Sequence, residues 1–204
     1  MVRVKVCGIT SAEDGLMAID AGADALGFVF YARSSRCIAP ETAAEIVQQL
    51  PPLVTRVGVF VDSGLEEVRE IMSLCGLDVA QLHGEESVEY CRALFPRVIK
   101  AFRIRGPATV ERLAEYRAAA YLLDAYSPAL VGGTGETFDW DLAREARRHR
   151  PVILAGGLTP ENVRQAIGVV RPYGVDVSTG VESAPGKKDA GLVRAFIKAA
   201  KRAR

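Results

Sequence analysis

Short runs rich in β-branched and apolar residues recur along the chain, and each gives way to a stretch whose apolar positions repeat every three to four residues. The runs lie at residues 3–7, 25–30, 56–61, 79–82, 98–102, 120–124, 151–155 and 174–177. The intervening stretches carry helix-start signals. Thr10-Ser11-Ala12-Glu13 and Thr159-Pro160-Glu161 set a hydroxyl before an acidic first turn. Pro40-Glu41-Thr42 opens another helix with proline at a position whose N–H is not needed. The last helix spans residues 189–203, and the basic residues from Lys198 onward suit its carboxyl end. Strands separated by helical crossovers form parallel sheets with right-handed connections. Eight such units close into a barrel, so the pattern predicts an α/β fold of the (β/α)8 kind.

The chain has 204 residues, and 49% are hydrophobic. This bounds it to a single compact domain over residues 1–204, whose core is large enough to need no disulfide or structural metal. Formal net charge is +1, from 26 basic and 25 acidic residues, so no general field favours nucleic acid or an anionic membrane. Cys7, Cys37, Cys75 and Cys91 form no CxxC pair and there are only two histidines, which argues against zinc. Cys37, Cys75 and Cys91 are expected as small core residues. The amino end is a charged alternating strand and no apolar run reaches spanning length, so a soluble, cytoplasmic protein is expected.

Ligands of a parallel barrel sit at the carboxyl ends of its strands. The polar and glycine-rich positions that follow the predicted strands include Cys7-Gly8, residues 33–36, Asp62, His83-Gly84, Asp124, Gly156-Gly157 and residues 176–180. The last two strands carry the clearest signature. Gly156 and Gly157 end one strand and lead into a helix, and Ser178-Thr179-Gly180 repeats the idea after the next. Glycine lets backbone N–H groups approach an anion closely, and a helix start adds favourable partial charge. Gly156, Gly157, Ser178, Thr179 and Gly180 are therefore the expected phosphate site.

Lys5-Val6-Cys7-Gly8-Ile9-Thr10 resembles the opening motif of the phosphoribosylanthranilate isomerase family. The likeness continues through Gly27-Phe28-Val29-Phe30, Ser34-Ser35-Arg36, Gly58-Val59-Phe60-Val61 and Gln81-Leu82-His83-Gly84. It extends over Leu123-Asp124-Ala125, Gly132-Gly133-Thr134-Gly135, Leu154-Ala155-Gly156-Gly157-Leu158 and Gly180-Val181-Glu182. Ala32 stands where the family often has proline, and Thr179 where a second serine is usual.

The resemblance implies a TIM barrel and an Amadori rearrangement of N-(5-phosphoribosyl)anthranilate in tryptophan biosynthesis, with no cofactor and no metal. It implies Asp124 as general acid and Cys7 as general base, with Lys5 assisting the thiolate if it faces the barrel interior. Arg36 is the expected partner of the anthranilate carboxylate, which a guanidinium matches with two parallel hydrogen bonds. His83 and Asp176 are expected against ribose hydroxyls, and residues 126–136 as a cover over the substrate. The protein is expected as a monomer or homodimer. The sister isomerase of histidine biosynthesis is the nearest alternative, but that family places an aspartate where this chain has Cys7. A dual-substrate enzyme and a non-catalytic sugar-phosphate-binding barrel also stay open.

Overall fold

The computed structural model describes residues 1–103, 106–124 and 140–203. Eight parallel strands close into a barrel in sequence order: β1 (Arg3–Cys7), β2 (Ala25–Val29), β3 (Thr55–Phe60), β4 (Val79–Leu82), β5 (Val98–Arg103), β6 (Ala120–Asp124), β7 (Val152–Ala155) and β8 (Gly174–Val177). β8 pairs back onto β1 through Lys5 and Asp176. Helices α1 (Ala12–Asp20), α2 (Pro40–Val47), α3 (Leu65–Leu74), α4 (Val88–Leu94), α5 (Pro107–Leu113), α6 (Trp140–Ala146), α7 (Val163–Val170) and α8 (Ala190–Arg202) follow the strands. Between β8 and α8 lie a 3-10 turn at Thr179–Val181 and a short antiparallel hairpin of β9 (Glu182–Ala184) and β10 (Lys187–Lys188).

Successive side chains of a strand point to opposite faces, and the packing follows that period. Val4, Val6, Leu26, Phe28, Phe60, Leu82, Val98, Leu123, Leu154 and Val175 face outward into one large core shared with the helices. The alternate positions face the barrel axis. Ile99, Ala101, Ala120, Leu122, Ile153 and Ala155 fill one side of that interior, and Cys7, Val29 and Val59 form a smaller group. The first strand and last helix meet at Asp24, whose carboxylate accepts from Arg3 Nη1 and Val4 N at 2.9 Å each and pairs with Lys201 at 3.2 Å.

The elements match the pattern read from the sequence, with local shifts. β2 stops at Val29, β3 spans Thr55–Phe60, β5 runs on to Arg103, and β7 begins after Pro151, which has no N–H to donate. α7 begins at Val163 rather than near Pro160. The Asn162 side chain accepts from Thr159 N at 2.8 Å and donates to Gly157 O at 2.9 Å, so this segment is a turn. Ser11 and Asp189 cap α1 and α8, accepting from Asp14 N and Leu192 N. Cys37 is exposed, contrary to its expected place in the core, because it lies in the loop after β2, where its N–H closes a turn onto Ser34 O. Cys75 and Cys91 are buried, and all four thiols are free.

Candidate active site

Alternation along β1 sends both Lys5 and Cys7 into the barrel, and the register of β8 sets Asp176 beside them. Lys5 Nζ donates to Asp176 Oδ1 at 2.9 Å, and all three residues are more than nine-tenths buried. Gly27, opposite Cys7 on β2, leaves the space in which these groups meet. A Cβ there would lie 2.7 Å from Cys7 Sγ and 2.8 Å from Lys5 Nζ. Burial alone would lower the Lys5 ammonium, but Asp176 and Cys7 more than reverse that and hold it charged. Burial pushes the Cys7 thiol up, and the Lys5 cation opposes the push without cancelling it.

Arg36 reaches over the end of β1 from the loop after β2. Gly8, at φ 77°, makes the crossing possible, since a Cβ there would lie 2.5 Å from Arg36 Cδ. One edge of the guanidinium is held by Glu182, with Nε at 2.8 Å from Oε1 and Nη2 at 2.5 Å from Oε2. The fully buried Lys188 ammonium lies 2.7 Å from Glu182 Oε1. Burial would raise the Glu182 carboxyl, but Arg36 and Lys188 bring it below the usual carboxylate range. The β9–β10 hairpin supplies Glu182 and Lys188 and is fastened to the first loop: Thr10 Oγ1 donates to Gly186 O at 2.5 Å, and Lys188 N to Asp14 Oδ2 at 2.9 Å. Pro185-Gly186 was the only sequence signal for this hairpin, and the roles of Glu182 and Lys188 escaped sequence reasoning.

The two glycine-rich loops touch each other. Gly156 and Gly157 have φ of 87° and 63°, and a Cβ on Gly180 would overlap the Leu158 carbonyl oxygen. Ser178 and Thr179 sit beside them at the end of β8, and Ser178 O accepts from Lys188 Nζ at 3.4 Å.

His83 and Asp124 end β4 and β6 on the same rim. His83 Nε2 is 3.6 Å from Asp124 Oδ2, and Gln81 Nε2 lies 3.1 Å from His83 Nδ1 from within the barrel. The loop bearing His83 is held from behind by a buried pair that sequence reasoning also missed. Lys100 Nζ donates to Glu86 Oε2 at 2.9 Å and Gly84 O at 2.6 Å, while Glu86 accepts from Gly84 N and Asp62 N. The structure thus brings Cys7 to Asp176 through Lys5, brings His83 to Asp124, and places Arg36 over Gly8. Residues 126–136, expected as a cover, lie outside the described residues.

A closed parallel barrel with titratable and glycine-rich residues gathered at its strands' carboxyl ends has the architecture of the (β/α)8 enzymes. A family model described as N-(5'-phosphoribosyl)anthranilate (PRA) isomerase matches residues 4–199, so the chain belongs to the N-(5'-phosphoribosyl)anthranilate isomerase family. It is an isomerase of tryptophan biosynthesis, and its reaction is an Amadori rearrangement. The isomerase of Geotalea uraniireducens strain Rf4 is 60% identical over 201 residues, spanning 98% of this chain and 99% of that protein. A crystal structure of a phosphoribosylanthranilate isomerase with reduced 1-(o-carboxyphenylamino)-1-deoxyribulose 5-phosphate is 49% identical, with a TM-score of 0.87 over 98% of this chain and 99% of that one. Monomers generated from the dimeric isomerase of Thermotoga maritima are 46% identical, with a TM-score of 0.85 and the same coverage.

Proposed function

We propose that Cys7 is the general base and Asp124 the general acid of this rearrangement. The observation that carries the reading is the thiol of Cys7 at the carboxyl end of β1, buried against an ammonium that Asp176 holds in place. Burial keeps the resting group a thiol, and Lys5 is the cation that makes its thiolate accessible. Asp124 gives its proton to the ribose ring oxygen. The C1–O bond then breaks, and the anthranilate nitrogen lone pair forms the iminium. The Cys7 thiol first releases its proton to solvent, and the thiolate then takes the proton from ribose C2, the C2–H electrons forming the C1–C2 double bond while the iminium pair returns to nitrogen. The enolamine gains a proton at C1 and loses one from the C2 hydroxyl to become the ketone. These steps need an acid and a base on different atoms, and they draw on no redox cofactor or metal.

Arg36 offers the substrate's carboxylate its remaining Nη1/Nη2 edge, the other being occupied by Glu182. Gly156, Gly157, Ser178, Thr179 and Gly180 cradle the phosphate, and His83 and Asp176 flank the ribose hydroxyls. Residues 1–204 act as one catalytic domain in the cytoplasm, as a monomer or homodimer and without nucleic acid. Among the described residues no helix is long and apolar enough to cross a membrane.

Loss of anthranilate-type fluorescence on mixing with phosphoribosylanthranilate tests the reading. Wild-type protein should turn it over, Cys7→Ala and Asp124→Ala should each fall by roughly 100-fold or more while still folded, and the histidine-pathway substrate should not react. Near-normal turnover in either variant would remove that residue from its role, and turnover of both substrates would make this a dual-substrate enzyme.

A further inference from the structure

Gln81 is the one side chain among the described residues that buries a polar atom without a hydrogen-bond partner. It points into the barrel at 1% exposure, and its register neighbours are the apolar Val59 and Ile99. A leucine or methionine would fill this space without burying an unpaired amide oxygen. The other end of the amide explains its presence. Nε2 lies 3.1 Å from His83 Nδ1, and the far nitrogen of that ring, Nε2, lies 3.6 Å from Asp124 Oδ2. An amide N–H can only donate, so the Nδ1 facing it accepts and the ring carries its proton on Nε2. Reversing the amide would replace an unpaired oxygen with an unpaired NH2, and orphaned donors are rarer in protein interiors than orphaned acceptors.

We propose that Gln81 is a positioning residue for the acid step: it holds His83 as the Nε2–H tautomer, which supports the negative charge on Asp124 once the ring oxygen has taken its proton. The inference rests on the assignment of Asp124 as the general acid. The opposite tautomer would turn a nitrogen lone pair toward the new carboxylate and oppose proton transfer. The 3.6 Å separation is longer than a hydrogen bond; a charged carboxylate attracts the N–H more strongly than the neutral acid does, which favours a shorter contact once the proton has left. The support is needed in the transition state more than in the resting enzyme, so its loss acts on kcat rather than on KM.

The test is ring-15N NMR of the full chain labelled at histidine. The sequence holds only two histidines, so His83→Asn assigns the spectrum. Wild type should show His83 protonated at Nε2 and bare at Nδ1. Gln81→Met should mix the tautomers and lower kcat roughly tenfold at nearly constant KM. A wild-type ring protonated at Nδ1 would overturn the proposal, and so would Gln81→Met with both tautomer and kcat unchanged. Should Gln81→Met fail to fold, Gln81→Leu and the wild-type spectrum carry the same decision. Retained turnover in Asp124→Asn would overturn the proposal through the acid assignment instead, and the spectrum tells that failure from a wrong tautomer.

Discussion

Single residues decide how closely the groups of this site can approach one another. Gly180 has no room for a side chain because the Leu158 carbonyl occupies that space, so the two glycine-rich loops are locked together at this point. Gly180→Ala should push them apart. The expected result is a KM raised roughly tenfold, about 1.4 kcal/mol of binding, with a smaller effect on kcat. Steady-state kinetics checks it, and an unchanged KM would place the phosphate elsewhere. Gly180 is legible in the sequence as a candidate phosphate residue because glycine after a barrel strand has a known use. Cys7 and Asp124 are legible as candidates for base and acid through their place in family motifs. Gln81 stands in a family motif that gives it no role, and Glu86 and Lys100 belong in sequence to an ordinary loop and strand. Their roles appear only when strand register and loop closure bring distant partners together.

The same distinction holds for whole elements. The barrel strands were readable because a buried parallel strand is a short apolar run between helix signals, and errors were confined to one-residue shifts at their ends. The β9–β10 hairpin was not, because strands of three and two residues are too short to carry periodicity. Yet this small element fixes Arg36 through Glu182 and is itself tied to Asp14 and Thr10. Glu182→Ala should therefore leave two cations facing each other, one of them fully buried. Removing one member of a buried ionic group costs about 3 kcal/mol, so urea denaturation should show a loss of that order together with a raised KM. A variant with wild-type stability and KM would mean that Arg36 is positioned without the hairpin.

At the scale of the molecule, the chain uses the two ends of its barrel differently. The amino ends of the strands close the fold, as where Asp24 ties β1 to α8, while the carboxyl ends carry the site. The proposed acid and base lie on strands on different sides of one rim, β6 and β1, which suits a reaction whose proton donor and acceptor act at separate substrate atoms. That division of labour is the central claim, and substrate deuterated at ribose C2 tests it most directly. In Cys7→Ser, where the base is weakened, breaking the C2–H bond should limit the rate and show a full primary isotope effect. In Asp124→Asn, ring opening should limit instead, and the effect should disappear. The reverse pattern, a full effect in Asp124→Asn and none in Cys7→Ser, would contradict the assignment.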